Sequence, residues 1–286
     1  MEPTTSTGAA GIAGWKLIGG LAGLGAIGAG LAAIVVMCIT TPLQAKKMLF
    51  AAMDDWPPFI IDTNSISSDS GFDGIDRELL QELSTRTGID IYLLRYPLVR
   101  ALQDMQGGRV DLLTSLAKTP ARSRYIGYLS TSYYQCHPAF YALPAMAKQV
   151  RSYADLRGKK IGYVRGSAYF EPFDSDRHLN KNAVLNESQL PGKLLKQRNQ
   201  LFIGTDCQVD YSLHEMGLSK QIVRTVYQPE QPIDLYIGYS KAAGIEKEVA
   251  LLDKALAEMV AEGWVARLVN SYFHSDNLIY SVPPTP

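Results

Sequence analysis

The sequence predicts an α/β body preceded by one N-terminal transmembrane helix. Three observations carry this reading. After residue 47, apolar runs alternate between strand and helix spacing; from Leu17 to Ala45 there are 29 residues without a charge; and the remaining chain has an ordinary globular composition. Nine of the 24 glycines fall within the first 30 residues, so the average composition blends two different materials.

The N-terminal segment comes first. A helix crosses the hydrocarbon layer with about 20 apolar residues, and Leu17–Thr40 meets this, ending in Ala32-Ala33-Ile34-Val35-Val36-Met37-Cys38-Ile39. Its glycines weaken a helix in water, but an unsatisfied backbone in lipid is worse. Ala22, Ala26 and Gly30 form a small-xxx-small ridge, which reads first as the usual small-residue content of membrane helices. A cleaved signal peptide fits less well than an uncleaved anchor: the stretch before Lys16 is long, and no A-x-A site follows. Lys46-Lys47 outweigh Lys16 and favour a cytoplasmic C-terminal side, on counts too small to decide orientation. Thr4–Pro42 also resembles the first helix of small phage holins through its Gly/Ala-rich run into Ile-Val-Val-Met-Cys.

In the body, Met48-Leu49-Phe50-Ala51-Ala52 reads as a strand, stopped before Trp56-Pro57-Pro58. Ile75, Leu79, Leu80 and Leu83 have helical spacing, with Gly88 at the C-terminus. Ile89–Leu94 is a strand. Leu98, Ala101, Leu102 and Met105 mark a short helix closed by Gly107-Gly108, and Val110–Leu113 is the next strand. Lys160–Val164 and Leu201–Gly204 are further strands. Val249, Leu252, Leu256, Met259 and Val260 give a long helix, continued after Gly263 by Trp264, Leu268 and Tyr272. Strands separated by helices imply largely parallel sheets, and the 239 residues from Met48 onward suit one two-lobed domain or two small ones.

Charge excludes one class of partner. The chain's 28 basic and 28 acidic residues include three Lys and one Glu before Met48, leaving 25 and 27 in the body. No basic excess exists to attract nucleic acid. No H-E-x-x-H, Walker loop, G-x-G-x-x-G or Cys/His metal spacing appears among His137, His178, His214, His274 and the cysteines, so no cofactor is expected. Cys38 lies in the membrane run. Cys136 and Cys207 are expected as separate free thiols, because nothing in the sequence brings them together, although an oxidising compartment would permit pairing.

Four blocks then resemble the bacterial extracellular solute-binding proteins of family 3, the polar amino-acid binders of ABC importers. Trp56-Pro57-Pro58-Phe59 with Gly71-Phe72-Asp73-Gly74-Ile75-Asp76 is similar to the family's aromatic-x-P-F and G-F-D-x-D-L. Ala101-Leu102-Gln103, Gly108-Arg109-Val110-Asp111-Leu112 and Thr119-Pro120-Ala121-Arg122 resemble A-L-Q, G-x-V-D and T-x-E-R. Asp155–Gly162 with Gly166-Ser167 resembles D-L-x-G-K-x-V-G and G-S; Gly263-Trp264 and Tyr272-Phe273 resemble the terminal G-x and W-F.

The resemblance implies a type II periplasmic-binding fold that closes two lobes on a small polar solute, an amino acid or related carboxylate. Lobe 1 would span 48–140 and 236–275, lobe 2 141–235, with a tail over 1–16, a membrane helix over 17–40 and a disordered tail over 276–286. Location would be the periplasmic face of the inner membrane, or the periplasm after cleavage, with ABC permease subunits as partners. A sensing module without transport, or a dehydratase-like enzyme using Glu171 or Asp174, are the alternatives.

Residue by residue, the resemblance assigns the ligand carboxylate to Arg122, whose guanidinium fork fits it bidentately; a surface arginine of an Arg-Ser-Arg cluster is the bland alternative. Ser167 would stand at a helix start, an anion site. Trp56 would stack on ligand and Tyr96 oppose it. Arg100 reads as a solvated helix residue. Two departures matter. Where the family has Thr or Ser, this chain has Ala117, with Thr114 and Ser115 just before. The family's ammonium-binding aspartate falls on Thr205, with Asp206 next door, and a one-residue shift on a strand turns a side chain to the other face.

Overall fold

The computed structural model describes residues 48–63 and 71–274. The predicted anchor over 17–40 and both predicted tails lie outside these residues; no described helix is long and apolar enough to cross a membrane.

The chain opens with β1 (Met48–Met53), the short pair β2 (Ile61–Asp62) and β3 (Phe72–Asp73), then α1 (Ile75–Thr87), β4 (Asp90–Arg95), α2 (Leu98–Gln106) and β5 (Leu112–Ala117). After a 3-10 turn at Arg122–Arg124 come β6 (Ile126–Tyr128), β7 (Tyr134–Cys136) and β8 (Pro138–Ala142). The middle of the chain forms α3 (Pro144–Ala147), β9 (Lys160–Val164), β10 (Asn180–Val184), α4 (Gln189–Leu195), β11 (Leu201–Thr205), α5 (Asp206–Glu215) and β12 (Val223–Arg224). It closes with β13 (Ile233–Ser240), α6 (Glu246–Ala261) and α7 (Trp264–His274).

Besides the β2-β3 pair, the described residues form two larger sheets, one per lobe. The first has the order β4-β1-β5-β13-β6, with β7 also on β13; the second is β10-β9-β11-β8-β12. Each has three parallel strands (β4, β1, β5 and β10, β9, β11) next to antiparallel ones, so the sheets are mixed rather than largely parallel. All the strands that flank the lobe changes, β7, β8, β12 and β13, are antiparallel members. It leaves the first sheet at Cys136 and enters the second at Pro138, then returns between Arg224 and Ile233. These crossings lie a few residues before the predicted divisions at 140/141 and 235/236.

Both faces of each sheet are covered, which explains strands that read as continuous apolar runs. Ala51 and Leu112 join the cluster under α1, α6 and α7, whereas their neighbours Ala52 and Leu113 join the one under α2. In the second sheet Leu201 and Ile203 face one cluster and Phe202 the other.

The turns explain two glycines, one at a predicted helix end and one in the G-F-D-G-I-D block. Gly88 ends α1 in the left-handed region, φ 70°, donating its N–H to the Ser84 carbonyl. Gly74 has φ 105°, and a Cβ there would lie 2.6 Å from the carbonyl oxygens of both Pro58 and Phe59. It therefore locks the start of α1 onto the loop that follows β1. The predicted strand Val110–Leu113 begins later, at Leu112, because the Asp111 carboxylate and amide bond Phe50 of β1 instead.

Candidate functional site

A cavity with an empty volume of about 790 Å³, part of it open to solvent, lies where the two sheets meet. The first lobe contributes the turn after β1 (Asp54, Asp55, Trp56), β5 and Arg122; the second contributes the loops after β9 and β10 and the end of β11. Ligands of open α/β sheets bind at these strand ends because side chains and amides converge there.

Arg122 is 6% exposed. Its Nη1 donates to the carbonyl of Ala117 on β5, and its Nη2 to the carbonyl of Gly166 in the other lobe, each at 2.7 Å. Burial pulls the guanidinium below its usual range, opposed by Tyr128, Tyr125 and Asp174. A guanidinium carries more N–H donors than these two bonds use, so Arg122 keeps donors for an anion.

Ser115 sits on β5 with φ 51°, rare for a residue with a side chain. A buried acid fixes that geometry. Ser115 Oγ donates to Asp76 Oδ2 at 2.6 Å, Tyr133 OH donates to Asp76 Oδ1 at 2.8 Å, and the Ser115 amide donates to Tyr133 OH at 2.8 Å. Burial pushes Asp76 up to about 6 against hydrogen bonds from Ser115, Thr114 and Tyr133. The Ser115 hydroxyl thus serves Asp76, the last residue of the G-F-D-G-I-D block.

Of the residues expected from sequence, the structure brings Trp56, Ser115, Ala117, Arg122, Ser167 and Thr205 together around the cavity. Two stand elsewhere. Tyr96 packs on the α2 side of the first sheet, 5.9 Å from the Arg100 guanidinium, and Arg100 itself is solvated and paired with Asp104. Asp206 turns away from the cavity: its Oδ1 accepts the amides of His137 and Cys207 at 2.8 and 2.7 Å, and its Oδ2 faces Arg224. Thr205, the last residue of β11, takes the wall position, while Asp206 already opens α5. Ser167 corrects another expectation. No helix begins there; its amide closes a turn on the Val164 carbonyl, so its amide is not an anion donor.

The cysteines correct a third expectation. Cys136 and Cys207 form a disulfide, with Cα atoms 5.7 Å apart. Together with Asp206 they are the described His, Cys, Asp or Glu residues whose ligand atoms cluster as a metal would need, but sulfurs bonded to one another offer no thiolate.

Sequence reasoning missed three wall carboxyls. Asp54 and Asp55 are both pushed up by burial; Asp54 accepts the Leu98 and Asp55 amides at 2.7 and 3.0 Å, and Arg95 draws Asp55 back down. Glu187, after β10, is 8% exposed and pushed up to about 8 by burial, against a hydrogen bond from the Trp56 side chain. Two acids at the C-terminal end of a parallel strand were a usable signal for the first pair. Glu187 carried none, because only the fold brings its loop to Trp56. Glu171 and Asp174 do not line the cavity: Glu171 accepts from Ser175, and Asp174 accepts the Tyr169 amide at 2.9 Å.

Comparison with known proteins agrees with this fold. The histidine-binding periplasmic protein of Salmonella typhimurium is 24% identical over 211 residues, 71% of this chain and 80% of that protein. An amino acid ABC transporter substrate-binding protein of Streptococcus pneumoniae, solved with L-arginine, superposes with a TM-score of 0.69 at 19% identity, covering 80% of this chain and 94% of the other. The GluR0 ligand-binding core of Nostoc punctiforme, solved with L-glutamate, gives 0.66 at 16% identity, covering 79% and 99%. The family model for bacterial extracellular solute-binding proteins, family 3, matches residues 48–275, and the chain belongs to that family.

Proposed function

We propose that this protein captures an amino acid outside the cytoplasm, by closure of its two lobes, and delivers it to an ABC-type importer. The observation that carries the reading is Arg122: a buried guanidinium in the wall of the cavity, bonded to carbonyls of both lobes and with N–H donors that those two bonds do not use. A carboxylate bridging those donors would hold the lobes together. The family's ammonium-binding aspartate is absent at Thr205, and the wall instead carries Asp54, Asp55 and Glu187 against the single cation Arg122. That balance favours a ligand with one anionic group and more than one cationic or donor group.

The test is calorimetric titration of the full chain with the common amino acids, beside Arg122→Ala. Saturable binding that disappears in the variant supports the reading. Equal binding by the variant would remove Arg122 from the carboxylate role.

A further inference from the structure

A second cavity, with an empty volume of about 410 Å³, shares Asp55 and Glu187 with the first. Its wall is mostly apolar, including Pro57, Phe202, Val209 and Met216. Two buried acceptors interrupt that wall. Glu187 Oε1 accepts no hydrogen bond from the protein, and neither does Gln208 Oε1; the residues are 8% and 2% exposed. Gln208 is held by its amide nitrogen, which donates to Ser212 Oγ one turn along α5 at 3.0 Å. That bond occupies the amide nitrogen, and the amide oxygen has no partner. The Glu187 carboxyl is oriented by the Trp56 side chain.

We propose that this second cavity is the specificity pocket for a long cationic side chain, with methylenes along the apolar wall and a guanidinium or ammonium end between Glu187 and Gln208. The inference rests on reading the first cavity as an amino-acid site. Two unpartnered acceptors need an occupant that brings donors, and guanidinium and ammonium groups bring donors only. An apolar stem suits the remaining wall, as it does wherever long basic side chains lie along apolar surface. A carboxylate-ended side chain would instead place an anion against bare acceptors.

The experiment titrates the full chain with L-arginine, L-lysine, L-norleucine and L-alanine, in the wild type and in Glu187→Gln, Gln208→Leu and Gln208→Glu. Arginine or lysine should bind about tenfold or more tighter than norleucine, which matches lysine's stem without its charge. Gln208→Leu should erase most of that ratio while leaving alanine affinity in place, Glu187→Gln should lower both the ratio and alanine affinity because Glu187 walls both cavities, and Gln208→Glu should widen the ratio. The glutamate variant covers the case in which Gln208→Leu fails to fold. An arginine-to-norleucine ratio near one, or one unchanged in the variants, overturns the pocket while alanine binding leaves the amino-acid reading standing. Absence of binding by all four ligands counts against both.

Discussion

Cys136 and Cys207 stand opposite one another two residues beyond Pro138 and Thr205, the last pair in the antiparallel register of β8 and β11. Between the cysteines and that pair, the His137 carbonyl accepts the Asp206 amide. The disulfide therefore continues a ladder already set by the sheet, at the point where the chain changes lobe and one residue pair from the cavity wall at Thr205.

Breaking this link has a defined consequence. The disulfide closes a sequence separation of 71 residues, and removing a native disulfide costs about 2–5 kcal/mol. The double variant Cys136→Ser, Cys207→Ser should lose stability in that range in urea denaturation. Equal midpoints for the variant and the oxidised wild type would show that the bond contributes nothing.

Arg122→Lys separates charge from geometry. A lysine keeps the cation but cannot hold both carbonyls and a carboxylate in one plane. Amino-acid affinity should fall about tenfold or more, measured by calorimetry. Wild-type affinity in the lysine variant would show that charge alone suffices.

Glu187 predicts a pH dependence. Its folded value of about 8 lies above the ordinary 4.5, so its protonated form stabilises the fold below the ordinary value and that contribution is lost as pH rises through 8. Trp56 hydrogen-bonds it, Tyr169 lies within reach of its charge, and Asp55 and Gln208 share the second cavity's wall with it. Glu187→Gln should therefore be more stable than the wild type at pH 9, by a margin that shrinks towards pH 5, over the window between those two values. Parallel stability curves would show that Glu187 ionises normally.

Thr205 and Asp206 should divide by role. Asp206→Ala removes acceptors for the His137 and Cys207 amides, a loss of about 1–2 kcal/mol on the scale of helix caps, with ligand affinity kept. Thr205→Asp should change ligand affinity instead. Thermal denaturation and calorimetry on both variants check this; a loss of affinity confined to Asp206→Ala would reverse the assignment.

Periodicity alone carried α1, α2, α6, α7, β1, β4, β9 and β11, because each buries one face or both and the spacing of Leu83, Met105 or Val260 records it. Arg122 was legible for a different reason: Thr119-Pro120-Ala121-Arg122 resembles the family's T-x-E-R block. The later start of β5 and the turn at Ser167 were not legible, since hydrogen bonds from Asp111 to β1 and from Ser167 to Val164 decide them.

By itself, then, the sequence determined the α/β class and, through its quoted blocks, the family and Arg122 as a site candidate, all of which depend on local spacing and residue type. Only the tertiary structure decided the disulfide, the turning of Asp206 away from the cavity, the entry of Glu187 into its wall and the place of Gln208 in the wall of the second cavity. The physical reason is register. Pairing β8 with β11 sets which side chain of each neighbouring pair faces the ligand, and the lobe crossings bring together loops that lie far apart along the chain.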